Sequence, residues 1–404
     1  MLRFPQDFPV SGDRPIPSKL LHILESGSIV KVEMPSSECA WLITGYHNVR
    51  RCLLDPALSR AIAYGGAPRL FGDDITSVPG CVFNMEGRRH QQLRGAISPL
   101  FTESALRHWE FRAGVITERL FRDISESSAF DATDAIAKPL VLRLVSEMLG
   151  LSVAEAQTVR ALIAEQTSLV GDPKAVRLAT ENIVRLAETL LMNVPQHGLF
   201  STLSRQGKKS AAVREDERVG TAAMLLFNVV EPMVPILAFA MARSVLCMSI
   251  IAPDGTIALP ATPDISLLRG VIAEVLRFYN NGPINMPRVA VSKVDIGAVS
   301  IKRGDAVLTS TLSAGWDGSV YANPEAFDPW RRTYHSLAFG TGRHRCMGAE
   351  FVQRVSAVVA GRFLALLAHR GVLAIDSSSA PPLFNRERSS NFLYSPSSFV
   401  FHLR

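Results

Sequence analysis

The segment Ala222 to Ala242, AAMLLFNVVEPMVPILAFAMA, limits what this chain can fold into more than any other stretch. It is almost wholly apolar and long enough to cross a lipid core of ~30 Å. Yet Asn228, Glu231, Pro232 and Pro235 stand at its centre. A carboxylate and an amide are costly in lipid, and two prolines free backbone carbonyls there. No second segment like it occurs. With 404 residues, 47% of them hydrophobic and 20% charged, the chain is able to bury a large core instead. The expectation is a buried helix of a globular protein. Pro232 has no N–H for the carbonyl of Asn228, and Pro235 has none for that of Glu231. The spacing therefore predicts a kink or bulge with free carbonyls.

Charge and cysteine usage narrow the class. A net charge of +6 is too small to argue for nucleic acid and no such motif appears. The cysteines, Cys39, Cys52, Cys81, Cys247 and Cys346, are odd in number and irregularly spaced. This excludes a disulfide framework and a structural zinc site. The stretch MLRFPQDFPVSGDRPIPSKL has no apolar signal-peptide core, so a reducing cytoplasm is the expected compartment.

Along the chain, Ser28 to Tyr46 reads as a hairpin. Helical spacing dominates from there: a helix with Thr102 as N-cap, another ending at Gly150, and a capping box at Ser152 and Glu155. Lys174 to Val194 is helical, and Ser204 to Gly220 reads as a polar surface loop with a charged first turn. DISLLRGVIAEVLRFY is a helix, short β patterns with Gly turns follow, and an irregular stretch precedes a last helix, Ala349 to His369. The fold class is mainly α with small sheets in a single domain.

The sharpest local pattern is FGTGRHRCMGAEF. Gly340 and Gly342 allow tight turns, and Gly348 lets a helix start close against something flat. Cys346 falls at that helix's N-terminus, where N–H groups and the helix dipole stabilise a thiolate. Arg343, His344 and Arg345 add positive charge. A thiolate in a Gly-rich loop suits a haem iron with one axial sulfur. The bland alternative is a buried structural cysteine. The full spacing Phe339–Gly342–His344–Cys346–Gly348 resembles the haem-binding loop of the cytochrome P-450 superfamily, F-x-x-G-x-[RH]-x-C-x-G. The rest of the chain carries that family's other features in order and looks most like its soluble bacterial members.

That resemblance implies the cytochrome P-450 fold, with haem b (iron protoporphyrin IX) between the long central helix and the cysteine loop. Cys346 would be the metal ligand. EVLR matches the family's E-x-x-R and implies a structural trio of Glu274, Arg277 and, from FDPWR, Arg331. HQQLR places His90 and Arg94 on one helical face, and the resemblance makes them haem-propionate ligands, with Arg288 of PRVA as a third.

The opening segment aligns with the central helix, where the family has roughly A-G-x-[ED]-T-T. Here Asn228 and Val229 replace Ala-Gly, Glu231 keeps the acid, and Pro232 replaces the alcohol. Asn228, Glu231 and Pro232 are the candidate catalytic residues. A groove for dioxygen is then made by proline, and protons come through water, Glu231 or the substrate. The resemblance places substrate contacts at Val82, Phe83, Phe227, Ile284, Asn285, Met286, Phe392 and Leu393, which suit a compact apolar or aromatic molecule. Ferredoxin and ferredoxin reductase are the implied electron donors, received on a face bearing Arg88, Arg89, Arg343 and Arg345. The implied reaction is monooxygenation of a secondary metabolite. Its rival on the same scaffold is radical coupling or ring formation without oxygen insertion. A haem-binding sensor or carrier and a membrane interaction protein are the readings from other classes.

Overall fold

Periodic burial turns most of the chain into helix. The computed structural model describes residues 1–9, 15–27, 29–61, 73–124, 127–166, 172–194, 198–209, 214–229, 233–251, 257–280, 284–331, 336–375 and 399–403. Helices α1 (Ser18–Glu25) and α2 (Tyr46–Leu54) flank the N-terminal hairpin. Helix α3 (Gly87–Ile97) buries His90, Leu93, Ala96 and Ile97 as one stripe. Helix α4 (Glu103–Asp123) starts where the Thr102 hydroxyl accepts from the Ala105 N–H at 3.4 Å. Helix α5 (Lys138–Leu149) ends on Gly150 at φ 79°, a left-handed cap. The capping box then opens α6 (Val153–Gln166): Ser152 N–H donates to Glu155 Oε2 at 2.7 Å, and Glu155 N–H donates to Ser152 Oγ at 3.2 Å.

Helices α7 (Pro173–Met192), α8 (Leu199–Lys209) and α9 (Glu215–Val229) follow. The polar stretch Ser204 to Gly220 departs from its expected loop. Helix α8 carries it to Lys209 and α9 takes it up at Glu215. Phe200 and Leu203 are fully buried at helical spacing, and that burial outweighs the polar composition. The apolar opening segment is divided between α9 and α10 (Met233–Met248), with residues 230–232 outside the description. Helix α10 is buried on nearly every side, Pro235 included. Helices α11 (Ile265–Phe278), α12 (Thr311–Gly315) and α13 (Ala349–Arg370) complete the set.

Among the described residues, α13 is the one helix long and apolar enough to cross a membrane. Here it packs against α4, α10 and α11. Its Phe363 ring meets Phe401 edge-on at 5.2 Å and Phe130 at 6.2 Å. Its Arg354 is bound by Glu103 and Glu110 of α4.

Short strands complete the frame. Strands β1 (Leu2–Arg3), β2 (Val30–Glu33), β3 (Cys39–Ile43) and β4 (Leu58–Ser59) come first. Strands β5 (Ala129–Asp131), β6 (Ile250–Ile251) and β7 (Ile257–Ala258) lie among the helices. Strands β8 (Arg288–Ala290), β9 (Val294–Ile296), β10 (Val299–Ile301) and β11 (Ala306–Thr309) follow α11, and β12 (Val372–Ile375) and β13 (Val400–Leu403) come last. They pair in the orders β1-β2-β3-β11-β8-β4, β10-β9 and β5-β13-β12-β7-β6. In the first sheet Leu42 is partnered by Val30 and by Leu308, and Arg288 stands opposite Val307. That register sets a guanidinium inside the molecule.

Candidate active site

The cysteine loop is shaped by backbone before side chains. Gly340 and Gly342 have φ of 64° and 73°, left-handed values that a side chain strains. A Cβ on Gly342 would also sit 2.9 Å from Leu54 Cδ2 of α2. The loop closes where Cys346 N–H donates to the Phe339 carbonyl at 2.9 Å. Gly348 and Ala349 at the start of α13 present their N–H groups on the side of the Cys346 thiol and favour its thiolate. The sulfur lies deep in the protein and is reached from an internal cavity, which is why Cys346 counts as exposed. Burial raises its thiol pKa, while the two N–H groups, Arg94 and Arg345 pull it back towards the thiolate.

Cations gather beside that loop. His90 of α3 is buried, with its ring 4.3 Å from the ring of His344. His344 Nε2 lies 3.1 Å from Glu86 Oε1, and Arg343 Nη1 donates to Glu86 Oε2 at 3.2 Å. Arg60 donates its N–H to Glu86 at 3.0 Å and its Nε–H to the Phe83 carbonyl at 2.7 Å. Arg288, 1% exposed, donates from Nη1 to the Leu58 carbonyl at 3.1 Å, and among the described residues its Nε and Nη2 have no partner. Burial lowers Arg60 to about 9, Arg288 to about 10 and His90 to about 4. Against Arg60, Arg94, Arg288 and Arg343 stand Glu86, bound directly by Arg60 and Arg343, and the buried Asp74, whose charge also acts on Arg60. Buried positive charge in such surplus calls for anions that the protein itself does not supply.

A second buried network holds the segment leading to the loop. Arg277 donates to both oxygens of Glu274, at 2.8 and 2.6 Å, and Arg331 Nε donates to Glu274 Oε1 at 3.2 Å. Arg277 also donates to the carbonyls of Gly315 and Pro324 at 2.8 Å and of Ala326 at 3.0 Å. Arg331 reaches the carbonyls of Ala322, Asn323 and Ala326. The residues leading towards Cys346 are thus tied to the C-terminal turn of α11.

The cavity of about 330 Å³ brings most predicted residues together. Its wall carries His90, Arg94, Phe339, His344, Cys346 and Gly348. It also carries Val82, Phe83, Phe227, Ile284, Asn285 and Met286. Arg288 and the Glu274 trio are not on that wall. Asn228 falls on the last turn of α9, but its side chain, with Glu231, Pro232, Phe392 and Leu393, lies outside the described residues. One expectation is corrected: Arg89 is not free for a partner, because it binds Glu217 of α9, with Nε to Oε1 at 3.0 Å. Sequence reasoning missed Arg60, Glu86 and Gln166. Their only cues were a residue ahead of a Gly-rich stretch, a carboxylate at the entry to α3, and the polar last turn of α6.

Comparison with known proteins gives a consistent picture. Residues 248–367 match the model of the family described as Cytochrome P450. The chain is 28% identical over 338 residues to nocardicin C N-oxygenase of Nocardia uniformis subsp. tsuyamanensis, across 80% of this chain and 81% of that protein. It is 25% identical over 340 residues to biflaviolin synthase of Streptomyces coelicolor, across 82% and 80%. The structure of the mycinamicin VIII C21 methyl hydroxylase of Micromonospora griseorubida, bound to mycinamicin VIII, matches with a TM-score of 0.80 at 18% identity. That match covers 99% of this chain and 100% of the other, and it shows a common fold. The mainly α architecture with small sheets expected from the sequence is the one observed.

Proposed function

Because this chain belongs to the cytochrome P450 superfamily and is an oxidoreductase of its monooxygenase type, we propose that Cys346 is the axial thiolate ligand of haem b and that the enzyme oxidises a compact apolar or aromatic secondary metabolite. The observation that carries this reading is a sulfur at a helix N-terminus on a cavity whose wall holds Arg60 and Arg94, with the buried Arg288 nearby. A haem brings two carboxylates. The unpartnered Nε and Nη2 of Arg288, the side chain of Arg94 and the rings of His90 and His344 fit them, and Arg60 adds a cation nearby. Phe339, Gly342 and Gly348 shape the loop against the ring, and Glu274, Arg277 and Arg331 fix the segment that presents it.

When bound, the haem supplies the redox chemistry, activation of dioxygen with two electrons and two protons for attack on a substrate C–H bond. The chain's own part is to hold, orient and exclude water. Val82, Phe83, Phe227, Ile284 and Met286 give the substrate an apolar wall, and Asn285 offers an amide to orient it. Glu231 and Pro232 lie outside the described residues; on this reading Glu231 serves the proton path and Pro232 stands where the family has an alcohol. The exposed Arg88 and Arg345 receive a ferredoxin, itself reduced by its reductase, in the cytoplasm of the cell.

A second reading is radical coupling or ring formation without oxygen insertion. It is favoured by Pro232, which removes the hydroxyl relay, and by a relative named as a synthase. The deciding experiment is the reduced carbon-monoxide spectrum. Native holoenzyme should show the long-wavelength band of thiolate ligation and Cys346→Ala should lose it; the same band in both proteins would end the proposal. Label from dioxygen in the product then separates insertion from coupling.

A further inference from the structure

We infer that Gln166 is the hydrogen-bond acceptor with which the cavity reads an N–H or O–H donor on its substrate; the inference rests on the haem-thiolate reading and names a chemical feature of the ligand. Gln166 ends the described part of α6, is 1% exposed, and lines the same cavity as Cys346. One turn earlier, Ile163 lines it too, so this face of α6 is the cavity wall.

The amide's orientation follows from its neighbour. Gln166 Nε2 stands 2.7 Å from Thr180 Oγ1 of α7. That hydroxyl has two carbonyls in reach, of Asp73 and of Val176, each at 2.9 Å. A hydroxyl has one proton. With two acceptors beside it, Thr180 spends that proton on a carbonyl and turns a lone pair to Gln166. The amide must therefore donate from Nε2, which leaves Oε1 to accept. Gln166 Oε1 is buried and has no partner among the described residues.

A buried acceptor left unpaired is destabilising, and an apolar residue of similar shape would avoid the loss. The cavity wall is largely apolar, with Val82, Phe83, Met224, Leu225, Phe227 and Ile284, and its polar side chains include Arg60, Asp74 and Thr76. A ligand that brings a donor to this one point satisfies it. A ligand of the same shape without the donor leaves it bare, so the acceptor selects. The substrate class is an apolar or aromatic molecule bearing a neutral N–H or O–H, such as an amide, lactam or alcohol.

A ladder of 4-phenylimidazoles tests this without knowledge of the substrate. The imidazole nitrogen anchors on the ferric iron of the holoenzyme and its spectral shift reports binding. The phenyl ring carries an acetamide or hydroxyl on a spacer of increasing length, each paired with its N- or O-methylated counterpart. At one spacer length the donor should bind roughly five-fold tighter than its methylated partner. Gln166→Met should bring that ratio to about one and leave unsubstituted 4-phenylimidazole binding as before. Thr180→Val, which frees the amide to turn, should lower the ratio too. A native enzyme with no preference at any length would mean that water satisfies the acceptor, and the inference falls. It falls equally if the preference survives in the Gln166 or Thr180 variant. Holoenzyme without the thiolate band would sink the haem-thiolate reading as well; a normal band with no preference sinks the role of Gln166 alone.

Discussion

Glu86 is the residue on which the cation cluster turns, and its carboxyl should set how the enzyme tolerates acid. Burial alone would raise its pKa. The His344 hydrogen bond, the Arg60 N–H and the charge of Arg343 outweigh burial and hold it at about 2, below the ordinary 4.5. A carboxyl depressed on folding stabilises the native state above its unfolded pKa, and that stabilisation is lost as pH falls through the folded value. The window here runs from about 4.5 down to about 2. Melting temperature and haem retention of the native enzyme should therefore fall on acidification below about pH 4.5 more steeply than those of Glu86→Gln. Parallel curves for the two proteins would show that Glu86 contributes no such linkage. Nothing in the sequence near Glu86 marks it, since its partners Arg60 and His344 come from distant segments. Cys346 and His90 were legible because their neighbours in sequence are also their setting: a glycine loop before a helix, and a helical turn shared with Arg94.

At the scale of elements, α11 and the segment that links α9 to α10 carry the two informative substitutions. Glu274 and Arg277 are each 1% exposed and Arg331 is close behind, so Glu274→Gln leaves two guanidiniums around a neutral amide. Breaking a buried pair in this way costs about 3–5 kcal/mol. The variant should purify with less haem and melt at lower temperature, because the segment that presents Cys346 loses its tether; unchanged haem content and melting would make the network ornamental. Pro232 tests the other element. Helix α9 is described to Val229 and α10 from Met233, and residues 230–232, where the prolines predict a kink, lie outside the described residues. Pro232→Thr restores both a helix-compatible N–H and the family's hydroxyl. It should change the ratio of product formed to reductant consumed by several-fold. Equal coupling and the same product in both proteins would remove Pro232 from the mechanism.

For the whole molecule, the fold was legible where burial is periodic and illegible where it is not. Helices α4, α6, α11 and α13 follow from apolar spacing and caps alone. Helix α8 did not, because its buried Phe200 and Leu203 come before a run of polar residues whose local character points to a loop. The charge distribution was half legible in the same sense. The sequence shows Arg88, Arg89, Arg343 and Arg345 near the haem-holding elements, but folding ties Arg89 to Glu217 and Arg343 to Glu86. Arg88, Arg343 and Arg345 are all exposed, but Arg343 is paired with Glu86, so Arg88 and Arg345 with the net +6 of the chain are the charges proposed to steer an acidic electron carrier. Exposed charges act over a Debye length of about 10 Å at 0.1 M salt, and their main effect is on encounter rate. Reduction of the ferric enzyme by a ferredoxin should slow by roughly ten-fold between about 0.05 and 0.5 M salt. The double variant Arg88→Glu with Arg345→Glu should be slow at low salt and nearly indifferent to added salt, while Arg89→Gln should act through loss of its tie to α9 and leave the salt dependence as it was. A native rate that ignores salt would place the electron-carrier site elsewhere on the surface.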